Sequence, residues 1–233
     1  KDLKRLAHGS TEYRKQQRIW AEGDHLLRAA LGRGVRPAIG LFASSYWPVA
    51  PAAYVQAAHK NIVLSDALFD ELSTLESPAR LGFVFDLPAT PEIQANAASV
   101  ILDRVQDAGN VGAILRSASA FGFKQVIAIK GTGAHWGLQL VEGASLEQLD
   151  VLTVPLLVTS SHRGSYLHQA LLSKALPMPC AWALGHEGQG VCAELEARAS
   201  GHVRIAQPGG EESLNVATAA AICLHASATA HLV

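Results

Sequence analysis

The residues best equipped for chemistry fall in three clusters, each directly behind a short apolar run. The first is Leu102-Asp-Arg-Val-Gln-Asp-Ala-Gly-Asn-Val-Gly-Ala-Ile-Leu-Arg-Ser117, which carries the amide of Asn110 and the guanidinium of Arg116. The second is Leu184-Gly-His-Glu-Gly-Gln-Gly190, and the third is Ile205-Ala-Gln-Pro-Gly-Gly-Glu-Glu-Ser-Leu-Asn-Val216. An α/β sheet binds its ligand beyond the carboxyl ends of its strands, so polar groups and glycines placed there are candidates for ligand binding through backbone and side chain together. Gly185, Gly188 and Gly190 let a backbone turn tightly and approach a ligand closely, and the same glycines also suit a plain surface turn. Ser213 stands where a helix should begin and is placed to cap it. Asn215, on a small apolar helix face, needs a polar partner. No GxxxxGK[ST] occurs and no GxGxxG follows an early strand, which argues against nucleotide hydrolysis and against an ordinary dinucleotide fold.

These clusters need a sheet behind them. From Leu81 onward, strand-like runs (81–87, 100–102, 126–129, 151–154, 180–184 and 203–205) alternate with helix-like segments (110–121, 165–176 and 214–228). That alternation predicts a parallel sheet covered by helices on both faces. Upstream, the apolar spacing of 13–31 predicts a helix ending at Gly32, followed by strands over 37–43 and 61–64 with helical 53–59 between them. The polar, proline-marked stretch Ser73–Arg80 is the expected domain junction.

Composition narrows the classes further. The chain has 233 residues, 49% apolar and 17% charged, enough to bury a sizeable core in one or two domains. No apolar run approaches the roughly 18 residues needed to cross a bilayer, and the charged opening Lys1–Leu6 is unlike a signal peptide. Three scattered cysteines and histidines without ligand spacing point to no metal and to a reducing, cytoplasmic setting. The net charge of −1 conceals an asymmetry, since residues 1–36 hold nine Lys or Arg against four acids. Only that end is built for a polyanion, although a solvated helix face would carry the same charges.

Taken together and in order, the three clusters resemble the SPOUT superfamily of RNA methyltransferases, specifically the SpoU-type (TrmH-like) ribose 2'-O-methyltransferases. Asp103–Arg116 looks like the first motif of that family, Leu184–Gly190 like the second and Ile205–Ile222 like the third. Ala108, His186 and Ala206-Gln207 depart from the residues usual there. The resemblance implies an α/β SPOUT fold with a parallel sheet and a C-terminal trefoil knot over residues 78–233. It also implies a small α/β domain over 1–77, similar to the ribosomal protein L30e fold and engaging RNA, carried by Tyr13–Arg28 and Leu64-Ser-Asp66.

For the site, the resemblance implies S-adenosylmethionine as methyl donor. Its principal contacts would be Gly185, Ile205 and Leu214, with Leu184, Gly188 and Gln207 beside them. Arg116, Asn110, Ser213, Asn215 and Glu187 would be the catalytic group, with Glu187 ordering its loop or holding Arg116. A guanidinium stays protonated in proteins, so Arg116 is read as a clamp on phosphate that polarises the 2'-hydroxyl, not as a general base. His186 is read as a loop residue. The resemblance further implies a homodimer and an RNA substrate, ribosomal RNA ahead of transfer RNA. Two rival readings are a SPOUT enzyme methylating a base and an RNA-binding assembly factor without catalysis.

Overall fold

A computed structural model describes residues 1–9, 11–89, 91–129, 139–160, 162–186, 188–209 and 213–230. Two compact units divide the chain, Lys1–Ala89 and Thr90–Val233.

The first unit contains α1 (Asp2–His8), α2 (Glu12–Gln16), β1 (Arg18–Glu22), α3 (Asp24–Leu31), β2 (Ile39–Ala43), α4 (Ala52–Val55), β3 (Lys60–Leu64), α5 (Asp66–Leu72) and β4 (Leu81–Asp86). Its sheet has the order β1-β4-β2-β3, with β4 antiparallel to both neighbours and β2 parallel to β3. Leu6, Leu41, Phe69, Leu72 and Val84 form the core between this sheet and the helices α1 and α5.

The single helix expected over 13–31 is therefore two short helices with a strand between them. Gln17 takes a left-handed backbone (φ 53°) that ends α2 and turns the chain into β1. Trp20 then lies against β4 at Gly82, where an added Cβ would come within 2.1 Å of the indole. Its apolar spacing mimics a helix only because the neighbouring segments are helical.

The expected junction at 77/78 also moves, to Ala89/Thr90. Leu81–Asp86 is not the first strand of a parallel sheet but the antiparallel partner of β1 and β2. The polar stretch before it is tied down by one carboxylate. Glu22 accepts hydrogen bonds from Ser73 Oγ (2.6 Å), Thr74 N (3.1 Å) and Ala79 N (3.1 Å), so Ser73–Arg80 is a connection inside the first unit.

The second unit comprises β5 (Ser99–Leu102), α6 (Ala108–Ala120), β6 (Gln125–Ala128), β7 (Gln139–Glu142), β8 (Leu156–Thr159), β9 (Ser165–Tyr166), α7 (Leu167–Leu172), β10 (Ala181–Leu184), α8 (Ala193–Ala197), β11 (Gly201–Arg204) and α9 (Val216–Thr229). All seven strands are parallel, in the order β7-β6-β5-β10-β8-β11-β9. Alternation sorts the strand residues by face. Val100, Leu102, Trp182 and Leu184 meet α6 and α9, while Ile101, Ala181 and Ala183 meet Leu149 and Leu195 on the other side. The small residues of α9 allow the close packing its sequence suggested: Ala220, Cys223 and Ser227 are fully buried, and Ser227 Oγ accepts from Trp182 Nε1 at 2.9 Å.

Two expected elements shift here. The strand expected over 151–154 begins only at Leu156, because Pro155 has no N–H for the ladder and Thr153 N instead bonds Ala95 O at 2.9 Å. The helix expected over 165–176 opens with the edge strand β9 and runs only from Leu167 to Leu172.

Candidate functional site

The three clusters all emerge at the carboxyl ends of parallel strands: the first behind β5, the second behind β10 and the third behind β11. Strand β10 lies beside β5 and reaches the same height, so Asp103 N donates to Leu184 O at 2.9 Å. The sheet itself thus brings the starts of the first two clusters together.

The first cluster turns from β5 into α6 through a cap. Asp107 Oδ1 accepts from Asn110 N at 2.7 Å, as an N-cap carboxylate should at the positive end of a helix. Arg116 lies exposed on the same helix, and among the described residues its guanidinium makes no ion pair or hydrogen bond. Among the described residues it forms no helix-surface salt bridge, the ordinary use of such an arginine.

The third cluster joins the first. Asn215 caps α9, its Oδ1 accepting from Ala217 N (2.9 Å) and Thr218 N (3.2 Å), and its Nδ2 donates to Asn110 Oδ1 at 2.9 Å. Both amides are consequently fixed in orientation. The cap expected of Ser213 belongs to Asn215, because α9 begins at Val216; Ser213 is exposed two positions earlier.

The second cluster closes on itself. His186 and Gly190 exchange backbone hydrogen bonds (3.0 and 2.8 Å), and His186 Nδ1 accepts from Gly188 N (3.0 Å) and Gln189 N (3.2 Å). Accepting at Nδ1 places the neutral ring's proton on Nε2, so this side chain acts as a cap within its own loop. At Gly185 the crossing is so close that an added Cβ would stand 2.1 Å from Gly190 C and 2.2 Å from Val191 N. Only glycine fits this backbone, a stronger requirement than a surface turn imposes. Glu187 lies outside the described residues.

The expected cofactor contacts line the same rim. Leu184 is fully buried at the end of β10, Gly188 is exposed on the loop, Ile205 is half-buried behind β11, and Leu214 is 37% exposed. Gln207 is half-buried, and its Oε1 is shielded from solvent without a hydrogen-bond partner among the described residues. A buried acceptor in that state is costly unless a ligand donates to it. Among the described residues no group of three or more His, Cys, Asp or Glu is arranged to hold a metal.

Asp103 and Arg104 contribute more than the sequence indicated. Asp103 is 2% exposed, and Arg104 pairs with it side-on, Nε to Oδ1 at 2.9 Å and Nη2 to Oδ2 at 3.1 Å. Cys192 N donates to Oδ2 at 2.7 Å, and Arg104 Nη1 donates to Gln189 Oε1 at 3.0 Å. Burial pushes the Asp103 carboxyl up, but the guanidinium and the Cys192 N–H outweigh it and hold the carboxyl below the ordinary carboxylate range. The sequence signal is an acid–base pair placed immediately behind the apolar run 100–102.

Residues 97–225 match the SpoU rRNA Methylase family. Along 243 aligned residues the chain is 29% identical to the 23S rRNA (guanosine(2553)-2'-O)-methyltransferase RlmP of Bacillus subtilis, covering 97% of this chain and 94% of that protein. It is 32% identical over 152 residues to the 23S rRNA (guanosine-2'-O-)-methyltransferase RlmB of Bordetella pertussis, covering 58% of this chain and 60% of the relative. Among solved structures, an RNA 2'-O ribose methyltransferase superposes with a TM-score of 0.78 at 25% identity, over 100% of this chain and 95% of that one. The SpoU methyltransferase AviRb of Streptomyces viridochromogenes, solved with AdoMet, shares the fold with a TM-score of 0.84 at 19% identity, over 99% and 97% of the two chains.

Proposed function

This chain belongs to the SpoU rRNA Methylase family, and from that premise we propose that it transfers a methyl group from S-adenosylmethionine to a ribose 2'-hydroxyl of ribosomal RNA. The observation that carries the reading is the Asn215–Asn110 hydrogen bond at 2.9 Å, which joins the first and third clusters at the carboxyl rim of the parallel sheet. The substrate class is supported by RlmP and RlmB, both 23S rRNA guanosine 2'-O-methyltransferases.

The residues on the rim fit the cofactor. Gly185 lets the loop backbone cross itself at Gly190 and Val191, where a Cβ would clash, and Gln207 Oε1 is buried without a hydrogen-bond partner among the described residues. Gly185, Ile205 and Leu214 hold the cofactor, with Leu184, Gly188 and Gln207 beside them. When bound, S-adenosylmethionine supplies a methyl group made electrophilic by its sulfonium.

Such a displacement depends mainly on placing the nucleophile about 3 Å from the methyl carbon, in line. Arg116 meets that demand as a planar, permanently charged donor that clamps the phosphate next to the target ribose and offsets charge developing on the hydroxyl oxygen. Asn110, its amide fixed by Asn215, orients the hydroxyl with Ser213. The exposed position of Arg116, without a partner among the described residues, supports a role toward an arriving ligand.

The C-terminal part of the chain forms a trefoil knot. Supporting this, β10 inserts between β5 and β8, and α9, which follows the third cluster, packs back on α6. Residues 1–89 form an L30e-like RNA-binding domain. Arg14, Lys15, Arg33 and Arg36 are exposed there, and Arg33 and Arg36 bond to backbone carbonyls that leave their charge unneutralised. The protein is a cytoplasmic homodimer. The apolar groove of about 690 Å³ between α7 and α9, lined by Leu167, Leu171 and the exposed Ile222, is an apolar surface compatible with this reading.

The test is to incubate unmodified total RNA with the protein and methyl-deuterated S-adenosylmethionine, separate the RNAs by size, and identify labelled nucleosides by mass spectrometry. A labelled 2'-O-methyl nucleoside in the ribosomal fraction is expected. A labelled base would assign the protein to base methylation instead, and cofactor binding without any label would make it an RNA-binding assembly factor.

A further inference from the structure

We propose that Asp103 and Arg104 are positioning residues that set the glycine loop 185–191 for the cofactor, acting through Gln189 and Cys192. The inference rests on reading that loop as part of the cofactor site.

Two consecutive residues at the end of β5 hold the loop at three points. Its start is tied by Asp103 N to Leu184 O (2.9 Å), its end by Cys192 N to Asp103 Oδ2 (2.7 Å), and its tip by Arg104 Nη1 to Gln189 Oε1 (3.0 Å). Closing the loop does not require these ties, because the His186–Gly190 bridge and the His186 ring already satisfy the amides of His186, Gly188, Gln189 and Gly190 internally. What the external ties decide is where the closed loop sits against the strand that leads into α6, the helix carrying Asn110 and Arg116.

The local backbone agrees with this assignment. Arg104 adopts a left-handed conformation (φ 58°), which a non-glycine residue keeps only where its surroundings demand it. In this conformation one guanidinium spans two acceptors, Asp103 and Gln189. Its planar fork permits the bridge, whereas a lysine ammonium, a single point on a flexible stem, holds the carboxylate alone.

Two variants isolate the outer tie while keeping the buried carboxylate paired. Gln189→Ala removes the acceptor from an exposed side chain, and Arg104→Lys keeps a cation on Asp103. Each should weaken S-adenosylmethionine binding, read by calorimetry on the full chain, by about tenfold, the scale of one charge-assisted hydrogen bond. The double variant should be no weaker than either single one, because all three lack the same link. Gln189→Glu retains an acceptor and should keep the parental affinity. Turnover at saturating cofactor should stay within about twofold, and amides 188–190 should exchange faster in the cofactor-free variants while melting temperatures hold.

Unchanged affinity and exchange in both single variants would overturn the proposal, as would additive losses or a fall in kcat at constant KM. If the parent protein itself fails to bind the cofactor, the functional reading fails. Faster exchange of amides 188–190 in the variants would then still establish the tie, and unchanged exchange would dismiss it.

Discussion

Asn215 does two jobs with two ends of one amide, and a single substitution separates them. Its Oδ1 accepts the first free N–H groups of α9, and its Nδ2 donates to Asn110. Asn215→Asp keeps the capping oxygen, adds charge at the favourable end of the helix, and replaces the donor facing Asn110 Oδ1 with a second acceptor. Asn215→Ala removes everything. Loss of a cap costs about 1 kcal/mol and loss of the side-chain hydrogen bond about 1 kcal/mol more. Asn215→Ala should therefore lower stability by about 2 kcal/mol, a melting shift of roughly 4–8 °C for a unit of this size. Asn215→Asp should stay within about 1 kcal/mol of the parent, its gain at the cap offsetting the lost contact. Activity should divide differently, with both variants losing at least about tenfold in kcat/KM because Asn110 loses the Asn215 donor, and Asn110→Ala adding little to either. Thermal unfolding, amide exchange in α9 and methyl transfer to RNA provide the readouts. Full activity in Asn215→Asp alongside a crippled Asn110→Ala would refute the claim that Asn215 orients Asn110.

Arg116→Lys should leave stability within about 0.5 kcal/mol, as befits an exposed position, yet reduce kcat/KM by about 100-fold if a planar fork is required; retained activity in a steady-state assay would contradict the clamp. Gly185→Ala forces a Cβ against Gly190 and Val191, so calorimetry should find cofactor binding abolished and unfolding experiments a loss of about 1–3 kcal/mol. Asp103, held below the ordinary carboxylate range when folded, contributes stability that is complete above about pH 4 and lost as pH falls through its lower folded value. Asp103→Asn should accordingly flatten the acid limb of the stability–pH curve, and an unchanged limb would remove Asp103 from that account. Burial pushes the Cys180 thiol up to about 11 and Cys223 up to about 12, so neither should react with iodoacetamide at pH 8 until the protein unfolds.

Much of the second unit was legible because its signals are local. Runs such as 100–102 and 180–184 are apolar on both faces, as strands of a covered parallel sheet must be. The small, apolar composition of 214–228 likewise anticipated how tightly α9 packs. Segments whose structure is decided by distant partners misled. Ile19-Trp20-Ala21 reads as helix until Phe83 and Phe85 are seen across the ladder, and Leu81–Asp86 reads as a parallel-sheet strand until β1 and β2 claim it. At the site, residue types and order located the three clusters. The Asn110–Asn215 contact spans 105 positions and no local pattern encodes it. The same holds for Arg104, whose bond to Gln189 exists only because β10 lies beside β5.

The central claim, that the methyl group goes to a ribose oxygen, has a direct chemical test. Alkaline cleavage of RNA requires the free 2'-hydroxyl as nucleophile, so methylation there leaves a gap in the hydrolysis ladder, whereas methylation of a base leaves the ladder intact. Ribosomal RNA treated with the protein and S-adenosylmethionine should show a protected linkage that vanishes when cofactor is omitted or Arg116→Ala is used. Methyl incorporation into that RNA with an unbroken ladder would contradict the account.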